Sequence, residues 1–212
     1  MIGLMMMNRV EIFANYLDEL LPNPPCELHY HKDYELLIAV MLSAQTTDKR
    51  VNQVTEILFS EYPTLKDLKE APISSLESIL RPLGSFRKKA QYVRGIATFI
   101  HDEYGGVMPR KRELLETLPG IGRKTVSVLL SELYDLPEFA VDTHVERVSK
   151  RLSLAKVDDN VLEIERKLKR KFRRSEWGRR HKQMVLFGRY HCKAIKPECE
   201  GCKLKNICKR EK

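Results

Sequence analysis

Leu118-Pro119-Gly120-Ile121-Gly122-Arg123-Lys124-Thr125, with Asp142 placed 18 positions after Lys124, combines residue types able to hold a phosphate and to open a glycosidic bond. Gly120 and Gly122 admit backbone angles closed to other residues and leave no side chain in the path of a ligand. The turn amides, with the first N–H groups of a helix beginning at Arg123, then form an array that binds phosphate without reading a base. Lys124 would lie in the first turn of that helix, at the positive end of its dipole and beside Arg123. Partial burial would add to both, and all three favour the neutral amine, the nucleophilic form. Such an amine can attack an electrophilic sugar carbon and form a Schiff base; the alternative is a solvated lysine that only touches phosphate.

Asp142, in Phe139-Ala140-Val141-Asp142-Thr143-His144, has two readings. It precedes a helical run marked by Val145, Val148 and Leu152, where aspartate is a good N-cap. As a carboxylate near the amine it could accept a proton or stabilise a cationic sugar. The two roles compete in part, because an oxygen bound to backbone amides is less basic. His144 suits a structural or DNA-contact role.

Cys192, Cys199, Cys202 and Cys208 follow the spacing C-x6-C-x2-C-x5-C within 17 residues. Four thiols so close in a reducing compartment point to a metal centre rather than to disulfides. Spacing alone leaves zinc and an iron–sulfur cluster open, since both accept four thiolates. The surrounding segment is too short and polar to build its own core, so a structural role for the metal is expected. Lys193, Lys196, Lys203, Lys205 and Lys209 decorate it as a basic loop. Cys26 lies far away and reads as a small buried residue.

The elements that must position these groups are helices, and the predicted fold class is all-α. Val10, Phe13, Leu17, Leu20 and Leu21 define an amphipathic helix ended by Pro22-Asn23-Pro24-Pro25. Residues 35–42 are apolar all round, as in a central helix buried on every side. Val51, Val54, Ile57 and Leu58 mark another, capped by Thr47 or Asp48. A short helix over Ile73, Leu76, Ile79 and Leu80 precedes a long one over Ala90, Val93, Ile96, Ala97 and Ile100, closed by Gly105-Gly106. Residues 111–117 then form a short helix that Pro119 stops at Leu118.

In combination these motifs, with Ser43-Ala44-Gln45-Thr46-Thr47-Asp48, resemble the endonuclease III family of helix-hairpin-helix DNA glycosylases, over nearly the whole chain. The resemblance implies two helical domains with a substrate cleft between them. One is a barrel domain over residues 26–136 containing the hairpin at about 111–134. The other joins residues 1–25 to 137–212 and carries a [4Fe-4S] cluster loop over 192–208. It implies a bifunctional DNA glycosylase/AP lyase that removes oxidised pyrimidines from duplex DNA and nicks the strand by β-elimination. Lys124 would be the Schiff-base nucleophile, Asp142 the second catalytic residue, and the four cysteines the cluster ligands. Gln45, on its own residues an ordinary helix-terminal polar side chain, would enter the space left by the flipped nucleotide. Gly120, Gly122, Arg123, Thr125, His144, Lys193 and Lys196 are the remaining candidate DNA contacts. One position departs from the pattern: a bulky apolar wedge is expected where Leu83-Gly84-Ser85-Phe86 places Ser85, so Leu83 and Phe86 stand as candidate replacements. A monofunctional glycosylase would lack the hairpin lysine and use a glutamate near Ser43-Ala44-Gln45, whereas a non-catalytic DNA-binding module would tolerate loss of Lys124 and Asp142.

Length and charge set bounds on these readings. At 212 residues and 42% hydrophobic, the chain can bury one good core or two modest ones. The net charge of +9 is uneven: residues 1–122 carry 14 basic and 16 acidic side chains, and residues 123–212 carry 24 and 13. Residues 166–174 (RKLKRKFRR), joined by Arg179-Arg180-His181-Lys182, form the densest basic stretch. It suits a polyanion as well as it suits a solvated helix face whose buried stripe is Val161, Ile164, Leu168 and Phe172. No run approaches membrane-spanning length, and residues 1–7 make a poor signal peptide, so cytoplasmic residence is expected. The resemblance adds the expectation of a monomer, associated with the nucleoid through DNA binding.

Overall fold

The helical periods of the chain are realised almost throughout. A computed structural model describes residues 8–209; the apolar start at residues 1–7 lies outside them. Among the described residues the chain forms eleven α-helices and no strand. None of these helices is long and apolar enough to cross a membrane. The chain divides into two compact units, one spanning Cys26–Tyr134 and the other joining the segment up to Pro25 with that from Asp135 onward.

The second of these begins with α1 (Arg9–Leu20), whose N-cap Asn8 and Glu11 form a reciprocal capping box. The Cys26–Tyr134 unit follows with α2 (Asp33–Leu42), α3 (Asp48–Glu61), α4 (Leu65–Glu70), α5 (Ile73–Leu80), α6 (Phe86–Tyr104), α7 (Arg112–Leu115) and α8 (Arg123–Tyr134). Residues 34–39 of α2, with Met41 and Leu42, are buried, as expected of a helix without a polar face. It is enclosed by α3, α6 and α8. Thr47, rather than Asp48, caps α3. Gly105, left-handed at φ 57°, ends α6, and the Gly106 amide returns to the Ile100 carbonyl at 3.0 Å.

In the other unit, α1 is joined by α9 (Thr143–Arg151), α10 (Val161–Lys171) and α11 (Trp177–Leu186). Phe13, Leu17, Phe139, Val145, Val148, Ile164, Leu168 and Met184 share its core. Val161 does not join the buried stripe of α10: as the first residue of the helix it is 45% exposed. Arg180 and His181 likewise are not part of a surface basic patch. Arg180, 3% exposed, donates to both carboxylate oxygens of Asp18 at 2.7 and 2.9 Å and to Glu176 at 2.8 Å. His181 Nδ1 lies 2.8 Å from the Ala140 carbonyl.

Candidate active site and cysteine loop

The hairpin between α7 and α8 is anchored by Leu115, Leu118, Ile121 and Val126, all buried. Gly120 takes φ +76°, and a Cβ there would fall 2.3 Å from the Tyr92 ring. Pro119 presses on α6 at Gly95, where a Cβ would lie 2.9 Å from Pro119 Cγ. Tyr92 and Gly95, one turn apart on α6, therefore form the seat of the turn, and only glycine permits the approach at either contact. Gly122 differs from the expectation of an unusual backbone angle. Its φ is not positive, and a Cβ there would meet nothing within 4 Å, so it leaves open space rather than special geometry. The first bond of the α8 ladder runs from the Val126 amide to the Gly122 carbonyl at 3.1 Å, which places the Arg123, Lys124 and Thr125 amides ahead of that ladder.

Lys124 is exposed on this first turn, so the partial burial anticipated for it is absent; Arg123 is exposed beside it and Thr125 is half-buried. Arg112, not singled out from sequence, staples the hairpin: its guanidinium donates to Glu116 at 2.9 Å and to Ser127 Oγ at 3.1 Å. The Arg112/Glu116 spacing of four was the local signal for it.

Asp142 is the N-cap of α9, and its Oδ1 accepts the amides of His144 at 2.9 Å and Val145 at 2.8 Å. Both cap bonds fall on one oxygen; neither uses Oδ2. His144 packs against Gly188, where a Cβ would sit 2.8 Å from His144 Cβ, and its Nδ1 lies 3.1 Å from Arg147 Nη2. Arg147 also donates to the carbonyls of Gly188 at 2.7 Å and Cys192 at 3.0 Å. Arg151, one turn later, donates to the Cys192 carbonyl at 3.2 Å, the Cys192 sulfur at 3.3 Å and the Lys193 carbonyl at 2.7 Å. These two arginines tie the start of the cysteine loop to the helix that Asp142 caps, and sequence reading missed them. Two arginines at i and i+4 on a helix with a buried opposite face were the available signal.

A π-helical turn over Phe187–His191 delivers the chain to Cys192, whose amide bonds the Phe187 carbonyl at 2.8 Å. Cys192, Cys199, Cys202 and Cys208 all line one cavity of about 310 Å³, walled on its apolar side by Tyr16, Leu20, Leu152, Phe187 and Leu204. Burial pushes the Cys202 thiol up, opposed by a backbone hydrogen bond at Leu204 and reinforced by the charges of the other three sulfurs. The four cysteines are thus gathered around one cavity. Among the described residues, no three His, Cys, Asp or Glu side chains converge as they stand on a single-ion site. Cys26 belongs elsewhere, partly buried against the core of the Cys26–Tyr134 unit.

The loop is less uniformly basic than its lysine count suggests. Lys193 pairs with Glu198 at 2.7 Å, Lys203 pairs with Glu19, and Lys205 donates to the Glu200 carbonyl at 3.2 Å. Lys196 is exposed, with left-handed φ 48°.

Gln45 and Ser85, on segments 43–47 and 83–86, are also left-handed, each at φ 57°, and both are exposed. A non-glycine residue held there stores roughly 1–3 kcal/mol of strain and persists only where its surroundings fix it. Leu83 is 1% exposed and committed to the core, whereas Phe86 is half-buried with the Arg87 guanidinium 5.2 Å from its ring centroid.

A family model described as "HhH-GPD superfamily base excision DNA repair protein" matches residues 38–174. Endonuclease III of Bacillus subtilis (strain 168) is 41% identical over 96% of this chain and 93% of its own length. Endonuclease III of Synechocystis sp. is 39% identical, over 91% and 88%. A solved structure of a trapped endonuclease III–DNA covalent intermediate, an estranged-adenine complex, matches with a TM-score of 0.90 and 43% identity, covering 96% of this chain and 97% of that one. With a glycine turn leading into Lys124, an aspartate N-cap and four cysteines around one cavity, the chain belongs to the endonuclease III family, the bifunctional DNA glycosylases and AP lyases of base excision repair.

Proposed function

We propose that this enzyme excises oxidised pyrimidines from duplex DNA with Lys124 as its nucleophile. The Lys124 amine attacks C1′ of the damaged nucleotide, the glycosidic bond breaks, and the base leaves with a proton. The C1′–O4′ bond then opens, O4′ taking a proton, and leaves a protonated Schiff base that acidifies C2′; loss of that proton expels the 3′ phosphate, and water then releases Lys124. Asp142 supports this chemistry as proton acceptor or counter-charge to the cationic sugar, from its place as the cap of α9.

The hairpin amides around Gly120 and Gly122, with Arg123 and Thr125, grip a backbone phosphate. His144, Lys193 and Lys196 add further DNA contacts, and Gln45 fills the space left by the flipped nucleotide. Cys192, Cys199, Cys202 and Cys208 hold a [4Fe-4S] cluster, which supplies four cross-links to a loop without a core of its own. The cavity of about 310 Å³ lined by all four cysteines supports this reading. The enzyme acts as a monomer on nucleoid DNA in a reducing cytoplasm.

The observation that carries the reading is the exposed Lys124 in the first turn of α8, directly after a glycine left open to a ligand. Borohydride added to protein and DNA bearing an abasic site or thymine glycol tests it. Native protein is expected to form a covalent adduct and Lys124→Ala none; undiminished nicking by the variant overturns the assignment.

A further inference from the structure

Lys89 is a buried cation that the chemistry above does not use. It is 5% exposed and belongs to the first turn of α6. Its ammonium donates to the Leu42 carbonyl at 2.9 Å, the Ala44 carbonyl at 3.1 Å and Thr46 Oγ1 at 3.2 Å. Those acceptors are the C-terminal end of α2 and the two residues flanking Gln45. A cation is favourable at a helix C-terminus, where carbonyls lack ladder partners. Burial lowers the pKa of Lys89, so these three bonds are what replaces its lost hydration.

The main chain of the same residue reaches the other left-handed position. The Lys89 amide bonds the Ser85 carbonyl at 3.0 Å, closing the turn that follows Ser85. One residue therefore braces both strained surface positions, Gln45 through its side chain and Ser85 through its backbone. Around Gln45 the local main-chain bonds are few: the Ala44 amide reaches Met41 O at 3.4 Å and the Thr46 amide reaches Ser43 O at 3.0 Å. Its flanks are held by Ser43 Oγ donating to the Val40 carbonyl at 2.8 Å, Thr46 Oγ1 to the Ala44 carbonyl at 3.4 Å and the Arg50 amide to Thr47 Oγ1 at 3.4 Å. A non-glycine residue in the left-handed region carries a backbone cost, and the Lys89 bonds add support on both sides of Gln45.

We propose that Lys89 is a positioning residue, whose ammonium clamps the Ala44–Thr46 turn and so presents Gln45, in register with Ser85, to the DNA stack. The inference rests on the reading of Gln45 as the residue that fills the vacated space. Lys89→Met keeps the aliphatic stem and removes all three donors, which makes it the informative variant.

Single-turnover excision of thymine glycol should fall about 10- to 100-fold in Lys89→Met, the scale of a small misplacement in a positioned group. Cleavage at a preformed abasic site, which needs no base to be expelled, should change less than threefold on the order-of-magnitude scale of that argument. That second activity also shows the variant to be folded. Gln45→Ala should reproduce the defect, and the double variant should be no worse than either single one. Amide exchange at Ala44 and Thr46 should speed up about tenfold in Lys89→Met, as expected of a segment that has lost its support. Proportional loss of both activities, or additive defects in the double variant, would reduce Lys89 to a general stabiliser and overturn the proposal. Unchanged exchange at Ala44 and Thr46 would overturn the clamp whatever Gln45 does. A silent Gln45→Ala would instead remove the role of Gln45, and with it the purpose assigned to Lys89, while faster exchange still registered the clamp.

Discussion

The Arg151 guanidinium lies 3.3 Å from the Cys192 sulfur and 3.2 Å from the carbonyl oxygen of the same residue. With Arg147 bound to that carbonyl from one turn earlier, the nine-residue helix α9 carries Asp142 at one end and holds the cysteine loop along its flank. The carboxylate and the thiols are thereby fixed to one rigid element.

Arg151→Leu should free the start of the loop. Hydrogen bonds to charged groups are worth about 1.5–3 kcal/mol, so the loss predicted for this partly buried guanidinium is of that order. Thermal melting measures it, and with the proposed [4Fe-4S] cluster bound, iron released per hour to a chelator should rise in parallel. Equal iron retention by variant and native protein would show that α9 does not brace the loop.

Substitution separates the cap that Asp142 provides from its proposed part in catalysis. Asn is as good an N-cap as Asp, so Asp142→Asn should melt within a few tenths of a kcal/mol of native protein yet turn over far more slowly. Asp142→Ala loses the cap as well and should cost about 1 kcal/mol of stability. A tenfold loss of DNA affinity in Asp142→Asn would instead mark the side chain as a binding group.

The two hairpin glycines should respond in opposite ways. Gly120→Ala forces a side chain into a left-handed residue and against the Tyr92 ring, at a backbone cost of about 1–2 kcal/mol before the clash is relieved. Gly122→Ala meets open space and should leave the melting temperature nearly unchanged while weakening DNA binding. Equal stability of the two variants would contradict the seat formed by Tyr92 and Gly95.

Acid should loosen the unit containing α1 and α11. Burial alone would push the Asp18 carboxyl up, but hydrogen bonds from Arg180 and Gln183 and the charges of Arg180 and Arg179 outweigh it and hold it below the usual carboxylate range. A depressed folded-state pKa contributes stability above the unfolded value, near 4, that is lost as pH falls through the folded one. Melting temperature should therefore decline as the pH drops below about 4, and Asp18→Asn should flatten that decline. A variant with the native acid profile would show the pair to be silent.

What was legible before the structure was the local pattern. The all-round apolar α2, the capping positions and the cysteine spacing follow from short-range rules of period, caps and turns, whereas the helix expected over residues 111–117 is only Arg112–Leu115 and ends before Leu118. The helix α4, only six residues from its Thr64 cap, is too short for a period to register and was not foreseen. Arg180 stands among basic neighbours in the sequence, and its partner Asp18 lies 162 residues away, beyond any local rule. Lys89 stands beside Arg87 and Lys88 in the same way, and only its burial sets it apart. Gly95, costly inside a helix, was a hint of close approach that could have been read.

The pairing of Asp18 with Arg180 has a consequence for biosynthesis. As the chain leaves the ribosome, Phe13 and Leu17 of α1 emerge long before the α11 residues that complete their core. The continuous Cys26–Tyr134 unit has all its own contacts in hand by then and can condense first, leaving α1 as an apolar tether until the last segment arrives. Premature termination anywhere after Tyr134 but before α11 would release a chain with one finished body and one sticky end, a natural client for chaperones and proteases.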